Sequence, residues 1–69
     1  MQLSARNHLA GVVKEIKEGP VSTEVVLDVN GMDIVASITS GSAQRLGLKV
    51  GASAVAVIKA SSVMIAKKE

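Results

Sequence analysis

The chain has 69 residues and a net charge of +2, and 48% of its residues are hydrophobic although none is aromatic. This length allows one domain, spanning residues 1–69, and a domain of this size is marginally stable alone. The chain has no cysteine and one histidine, so disulfides, thiolate zinc sites, thiol nucleophiles and multi-histidine metal sites within one chain are excluded. We expect no site for a bare metal cation. Because small chains usually need a further source of stability, we expect a homo-oligomer.

The charge pattern argues against a membrane protein. The longest stretch without a charged residue covers residues 34–44, whereas a membrane-spanning helix needs about 20 mainly apolar residues. Residues 9–13 are too few for the apolar core of a signal peptide, because Lys14 interrupts them. The net charge of +2 is no larger than the charge that Lys67 and Lys68 contribute at the end of the chain. It does not by itself indicate nucleic-acid binding. We therefore expect a cytoplasmic protein without a membrane or nucleic-acid partner.

Short alternating runs of Val, Ile and Thr between glycines predict strands rather than helices. The first run covers residues 4–17, with Gly11 as a predicted bulge or bend, and a Gly-Pro dipeptide at residues 19–20 then turns the chain. The second run, residues 23–29, alternates between two faces. One face carries Val25, Leu27 and Val29, and the other carries Glu24, Val26 and Asp28.

The second and third runs are predicted to form an antiparallel hairpin. Asn30 and Gly31 between them form the dipeptide that best tolerates the positive φ angles of a tight turn. The third run covers residues 32–39. After it, Ser42 is the predicted N-cap of a single helical turn through Leu46, and Gly47 occupies the position of a C-cap.

The end of the chain predicts two more strands. Residues 53–59 alternate, with Ala54 and Ala56 on one face, and residues 60–62 connect them to a last short strand at residues 63–66. Five strands with one short helical turn between the third and the fourth predict an all-β fold. The expected architecture is a small, closed OB-like Greek-key barrel whose interior is filled by Val, Ile and Leu.

The acidic residues do not predict a catalytic site. A paired-carboxylate mechanism needs two acids in one cleft. Here the acids lie singly, mostly on predicted polar faces, at Glu15, Glu18, Glu24, Asp28 and Asp33. No serine lies in a nucleophile elbow for His8 to activate, and the glycine-rich phosphate-binding spacings are absent. We expect a protein that is not an enzyme.

Small hydroxyl residues occur beside single cations or turns in three segments. These are SARN at residues 4–7, TSGS at residues 39–42 and KASS at residues 59–62. Each combines hydroxyl donors with backbone N–H groups of an irregular or helix-starting segment, and two of them add a positive charge. Such groups can together replace the water around an oxyanion. Because Ser and Thr also cap helices and fill turns, a structural role stays open for each segment by itself.

Four separated segments resemble the molbindins, the small molybdenum-binding Mop proteins. The opening SARNHLAGVV, at residues 4–13, is similar to the start of that family. The strand EVVL at residues 24–27 and the ending VIKASSVMI at residues 57–65 resemble two further segments. The fourth runs from Ile38 and Thr39 through Ser42 to LGL at residues 46–48. The resemblance covers essentially the whole chain in register.

This resemblance implies a TOBE-type, OB-like barrel assembled as a homohexamer, a trimer of dimers. It implies that molybdate or tungstate binds at the subunit interfaces, with no cofactor, for storage and homeostasis of the oxyanion. By position, one chain would supply Ser4 and Arg6, and its neighbour would supply Thr39, Ser42, Lys59 and Ser61.

The resemblance further implies that backbone N–H groups near Ala5, Ala60 and Ser61 contribute to binding. Asn7 and His8 lie beside the motif and are expected to be structural or second-site residues. A tetrahedral dianion accepts hydrogen bonds and never donates them, so its site needs donors and no carboxylate. No acid is adjacent in any of the three segments.

Two other functions stay open at this point. OB-like barrels also bind single-stranded nucleic acid, but they use aromatic stacking platforms and a basic groove, and this chain has no aromatic residue. A carrier of pterin or of the molybdenum cofactor would need planar recognition of a ring, for which the chain likewise offers no aromatic side chain.

Overall fold

The computed structural model describes residues 4–68, which form one antiparallel sheet with a short helix. The elements are β1 (Asn7–Lys17), β2 (Ser22–Val29), β3 (Met32–Thr39), α1 (Ser40–Leu46), β4 (Ser53–Ile58) and a 3₁₀ helix (Ala60–Ser62). The strand order is β3-β2-β1-β4, and every neighbouring pair is antiparallel. In this part of the chain no helix is long and apolar enough to cross a membrane.

The core lies on one face of the sheet and is built from alternate residues. Val13, Val25, Leu27 and Val29 are buried there, which confirms the apolar face predicted for the second run. Partly buried residues of β3, of β4 and of the turn after α1 pack against the same cluster. Because residues of both edge strands reach one core, the sheet curls around it. Val26, on the opposite face, is also buried, at 9% exposure.

The hairpin between β2 and β3 confirms the predicted turn. Asn30 and Gly31 have φ angles of 50° and 87°, as the two central residues of a type I′ turn require. The Asp28 carboxylate accepts a hydrogen bond from the Gly31 N–H at 2.9 Å, which further stabilises the turn. The turn fixes the register, so that Val29 pairs with Met32 and Ser22 pairs with Thr39.

The prediction of a bulge at Gly11 is wrong, because the irregularity in β1 lies between Val13 and Glu15. Gly11 instead allows two strands to approach closely. A Cβ at this position would overlap the Asp28 carbonyl oxygen and lie 2.9 Å from Val29 Cγ2. The position therefore excludes any side chain, which is the second common reason for a glycine within a strand.

The helix α1 begins earlier than predicted. Its N-cap is Thr39, not Ser42, and the Thr39 hydroxyl accepts a hydrogen bond from the Ser42 N–H. Thr39 is the last paired position of β3, so one residue ends the strand and caps the helix. The C-cap prediction is confirmed: Gly47 has a φ of 63°, and its N–H donates to carbonyls of the last turn, as in a Schellman motif.

The structure does not contain the predicted fifth strand. Residues 63–68 form no strand, and Met64 and Ile65 are 93% and 91% exposed. The edge strands β3 and β4 are not paired with each other among residues 4–68. The single chain is therefore a curled, open sheet of four strands rather than a closed barrel. The prediction of a strand at residues 63–66 is wrong for the single chain, because this apolar run pairs with no strand edge within residues 4–68.

Val25→Asp should disrupt the fold, because it places a carboxylate in the centre of the core cluster. Val25 is 3% exposed, and burial of an unpaired charge should lower the free energy of unfolding by about 3 kcal/mol or more. Urea denaturation followed by circular dichroism measures the change. Val21→Asp is the control, since Val21 is 78% exposed. A Val25→Asp protein as stable as this control would show that the strand register is wrong.

Candidate functional site

Two of the three predicted segments lie together at one end of the sheet. Asn7, the first residue of β1, pairs with Ile58, the last residue of β4. The Asn7 side chain also donates to the Ile58 carbonyl at 3.1 Å. The residues just outside this pair therefore lie at the same end of the sheet. We call this set the basic end: Ser4, Ala5, Arg6, Lys59, Ala60 and Ser61.

The basic end presents hydrogen-bond donors to solvent. Four of its side chains are exposed and form no hydrogen bond or ion pair with other groups of residues 4–68. They are those of Ser4, Arg6, Lys59 and Ser61. The 3₁₀ helix uses the N–H groups of Ser62 and Val63, which donate to the carbonyls of Lys59 and Ala60. It leaves the N–H groups of Ala60 and Ser61 without an acceptor within the described range.

Asn7 and His8 hold the segment that carries Arg6. Asn7 binds the Ile58 carbonyl, and His8 Nε2 lies 2.9 Å from the Ala5 carbonyl oxygen. Because a carbonyl only accepts, His8 Nε2 is the donor in this contact. The side chain of Asn7 thus links β1 to β4, and that of His8 fixes the backbone before β1. Both contacts fit the structural role that the sequence left open for these residues.

The third segment forms a separate hydroxyl end, defined by Thr39 and Ser42. Thr39 Oγ1 accepts from the Ser42 N–H at 3.1 Å and donates to Ser42 Oγ at 2.8 Å. Arg45 Nη2, one helical turn further along, also donates to Ser42 Oγ, at 3.1 Å. No contact between Arg45 and Ser42 was predicted from the sequence. The spacing of three residues between them was the available signal.

Ser40 is structural, although it lies inside the same segment. Its hydroxyl donates to the Gly19 carbonyl at 2.6 Å, and it lies 2.8 Å from Thr23 Oγ1. Since the Ser40 proton goes to Gly19, Thr23 is the donor to Ser40. Thr23 is 1% exposed, so this chain of hydrogen bonds satisfies a buried hydroxyl. It also fastens the start of α1 to the turn between β1 and β2.

The basic end and the hydroxyl end lie at opposite ends of the sheet. Asn7 begins β1, whereas Thr39 pairs with Ser22 beyond the other end of that strand. β1 has 11 residues, and ten residue steps at about 3.3 Å each correspond to about 33 Å along the strand. One chain therefore does not bring the two ends together. Within one chain, Lys59 and Ser61 lie at the same end as Arg6, whereas Thr39 and Ser42 lie at the other end. Which copy supplies each ligand stays a prediction.

Within residues 4–68, no carboxylate forms an ion pair with either cation of the basic end. The ion pair within residues 4–68 joins Lys14 to Asp33 at 2.9 Å, on the outer face of the sheet. The hydrogen bond from Lys14 to Asp33, together with the negative charge of that carboxylate, raises the pKa of Lys14. Lys14 is therefore paired with an acid, whereas Arg6 and Lys59 form no ion pair within residues 4–68 and can bind an anion.

A cavity of about 310 Å³ lies between α1 and the turn that joins β1 to β2. Ile16, Ala43 and Leu48 provide apolar walls, and Glu18 adds a carboxylate. Lys49 also lines the cavity and offsets the charge of Glu18, so the cavity has no excess of positive charge for a dianion. Neither Arg6 nor Lys59 lines it. The cavity is therefore not the predicted oxyanion site.

The comparison with protein families identifies this architecture. A model of the TOBE domain matches residues 3–65. The chain belongs to the TOBE domain family. This match spans the three hydroxyl-bearing segments and confirms the molbindin resemblance on which the candidate residues depend. It also agrees with the curled antiparallel sheet and single helix of the structure.

Among curated relatives of this TOBE chain, molybdenum-pterin-binding protein 3 of Clostridium pasteurianum is 50% identical over 66 residues, which cover 94% of this chain and 97% of that protein. The molybdenum transport protein ModE of Herbaspirillum seropedicae is 46% identical over 66 residues. That match covers 94% of this chain but only 24% of ModE, so the chain spans about a quarter of that relative.

The similar solved structures are likewise those of molybdate-binding proteins. A molybdate-binding protein from Sporomusa ovata superposes with a TM-score of 0.93 at 39% identity, covering 97% of this chain and all of that one. The cytoplasmic molybdate-binding protein ModG with molybdate bound superposes with a TM-score of 0.88 at 51% identity, covering 93% of this chain and 46% of ModG. The TOBE chain is therefore similar in both sequence and fold to molybdate-binding proteins.

Ser40→Ala should destabilise the fold without changing the donors of the basic end or of the hydroxyl end. The substitution removes the acceptor of the buried Thr23 hydroxyl, which should cost about 1–3 kcal/mol in the free energy of unfolding. Chemical denaturation measures this cost. Ser37→Ala is the matched control, because Ser37 is exposed and its side chain forms no hydrogen bond within the described residues. Equal stability of the two variants would contradict the structural role of Ser40.

Proposed function

We propose that this TOBE chain binds molybdate or tungstate at the interfaces of a homo-oligomer and stores the oxyanion in the cell. The observation that carries the proposal is the division of donors into two sets at opposite ends of one sheet. The basic end supplies Arg6 and Lys59 with hydroxyl and N–H donors, and the hydroxyl end supplies Thr39 and Ser42. A second copy can place its hydroxyl end against the basic end of the first and complete the site.

The donor chemistry matches a tetrahedral dianion. Every oxygen of molybdate accepts hydrogen bonds, and the proposed ligands are hydroxyl, ammonium, guanidinium and backbone N–H groups. Hydrogen bonds to a charged partner contribute about 1.5–3 kcal/mol each, so six or seven donors suffice for micromolar binding or tighter after desolvation. The residues proposed to form the site, whether they touch the anion or hold a ligand in place, are those that the resemblance implies: Ser4, Ala5, Arg6, Thr39, Ser42, Lys59, Ala60 and Ser61.

The relatives support this ligand class. The Sporomusa ovata and ModG structures are those of molybdate-binding proteins, and the ModG structure holds molybdate. These relatives are binding proteins, which supports our proposal that this chain is not an enzyme and needs no cofactor. ModG is described as cytoplasmic, and we propose the same location for this chain.

We further propose that the assembly is a homohexamer, a trimer of dimers, and that it completes the five-stranded Greek-key barrel. β3 and β4 have unpaired edges among the described residues, and residues 63–66 have no strand partner there. Met64 and Ile65 expose almost all of their surface in the single chain. Burial of these side chains between copies would supply the stability that a core without aromatic residues lacks.

A second candidate ligand is a molybdenum-bound pterin, because the Clostridium pasteurianum relative is a molybdenum-pterin-binding protein. Against it, the chain offers no aromatic side chain that could stack on a pterin ring. Nucleic acid has no comparable support, because the two cations of the basic end are not accompanied by any aromatic residue. Binding of a pterin or of an oligonucleotide in place of molybdate would support one of these two alternatives.

Arg6→Ala and Lys59→Ala should each weaken molybdate binding by about tenfold or more, since each removes a charge-assisted donor. Calorimetric titration of the purified protein measures the affinity and the number of anions per chain. Lys17→Ala is the control, because it removes the same charge from an exposed position at the other end of β1.

Unchanged affinity in both Arg6→Ala and Lys59→Ala would overturn the assignment of the basic end. Titration in excess sulfate then tests selectivity: binding of molybdate that persists supports the proposed function. Loss of binding in sulfate, together with salt-dependent binding of oligonucleotides, would favour the nucleic-acid alternative. Co-purification of a pterin, detected by its absorbance, would favour the pterin alternative.

Ile65→Asp should weaken assembly while leaving the four-stranded sheet intact, because Ile65 is 91% exposed in the single chain and outside the core cluster. Light scattering after size-exclusion chromatography measures the mass of the assembly. The control is Val21→Asp, which introduces the same charge at a position that is 78% exposed. An Ile65→Asp protein that keeps the wild-type mass at low concentration would contradict burial of residues 63–66 between copies.

A further inference from the structure

The hydroxyl end contains a cation to which the proposed function assigns no role. Arg45 lies in the last turn of α1, and its Nη2 donates to Ser42 Oγ at 3.1 Å. Its Nη1 lies 3.5 Å from the position that a Cβ on Gly41 would occupy. The Arg45 side chain therefore folds back along α1 toward Thr39 instead of extending into solvent. No carboxylate within residues 4–68 forms an ion pair with it.

The hydrogen bonds around Ser42 determine where its proton points. A serine hydroxyl has two acceptor positions and one proton. Ser42 Oγ accepts from Thr39 Oγ1 at 2.8 Å and from Arg45 Nη2 at 3.1 Å. Both acceptor positions are therefore filled. The Ser42 proton has to point away from Thr39 and Arg45, toward a partner outside this cluster.

Thr39 has no proton left for a ligand in this arrangement. Its Oγ1 accepts from the Ser42 N–H at 3.1 Å and gives its own proton to Ser42 Oγ. The two hydroxyls of the hydroxyl end are thus not equivalent. Thr39 caps the helix and orients Ser42, and Ser42 alone offers an O–H group to an anion.

We propose that Arg45 is a positioning residue of the oxyanion site, and that with Thr39 it fixes the Ser42 hydroxyl as a donor toward the bound anion. This inference rests on the proposed function and deepens it by assigning the protons of the hydroxyl end. The charged donor also polarises the Ser42 hydroxyl, which strengthens the hydrogen bond that this hydroxyl donates. Without Arg45, one acceptor position of Ser42 is empty and its proton can rotate away from the anion.

A double-mutant cycle on the full chain tests this role with sodium molybdate as the probe. Arg45→Ala should weaken binding about fivefold and Ser42→Ala about tenfold, as expected for loss of one orienting and one direct hydrogen bond. The double variant should bind within about twofold of Ser42→Ala, because Arg45 acts only through Ser42. Arg45→Lys, which keeps a charged donor, should recover most of the affinity.

Lys49→Ala is the charge-matched control, since Lys49 is exposed, follows α1 and forms no side-chain hydrogen bond within the described residues. It should change the affinity by less than about twofold. Alanine is the best helix former, so α1 is retained in Arg45→Ala, and circular dichroism with size-exclusion chromatography verifies fold and assembly.

The outcomes separate the inference from the proposed function. If the wild-type chain binds no molybdate, the proposed function fails and the inference fails with it. If it binds, and Arg45→Ala is without effect or weakens binding equally in the Ser42→Ala background, only the inference is overturned. An effect of Arg45→Ala that Lys49→Ala reproduces and that added salt abolishes would show a general charge effect, and it would overturn the inference as well.

Discussion

The double pairing of β1 is the interaction on which the rest of the structure depends. The strand is hydrogen-bonded to β4 over residues 7–12 and to β2 over residues 12–17, so its two halves have different partners. Its first half places the start of the chain beside the end of β4 and thereby forms the basic end. Its second half aligns β2 and, through the hairpin, β3 and the hydroxyl end. A register slip of one residue would turn Val13 and Val25 out of the core. Burial of these side chains therefore fixes the strand register, and with it the positions of the basic end and the hydroxyl end.

The same architecture leaves a single chain with a small core, exposed apolar residues and open strand edges. A core of four buried aliphatic residues with partly buried neighbours is small, and no aromatic side chain enlarges it. The outer face carries Val35, Val55 and Val57, which are 61%, 45% and 39% exposed. Apolar surface of this kind, together with open strand edges, favours association. If the anion is held between copies, it binds the assembled state alone, and its binding stabilises the assembly by mass action.

The sequence predicted local features that depend on neighbouring residues. The Asn30-Gly31 hairpin and the Gly47 C-cap follow from backbone conformations that few residues adopt. The N-cap was misplaced because Thr39 and Ser42 are both good caps, and only the end of β3 decides between them. The assignment of Arg6 and Lys59 to different chains stays a prediction, because motif spacing does not determine the contacts between copies.

The remaining features depend on contacts that a single sequence does not encode locally. The prediction of a strand at residues 63–66 followed from a short apolar run, but a strand also needs an edge to pair with. The bond from Arg45 to Ser42 depends on a rotamer of an exposed side chain, for which helical spacing gives only the possibility of contact. The family resemblance supplied the candidate ligands, Ser42 among them, and the structure then gave Ser40 of the same segment a structural role.

Selectivity in the proposed site has to come from its dimensions. Molybdate and sulfate have the same charge and shape, so an identical set of donors distinguishes them only by the size of the cage. Arg6 and Lys59 are long and adaptable, and they follow an anion of either size. The hydroxyl end is different, because Thr39 and Arg45 hold Ser42 in one orientation on a short helix. The distance between this rigid wall and the basic end of a neighbouring copy sets the cage, which makes discrimination a property of the assembly rather than of any one ligand.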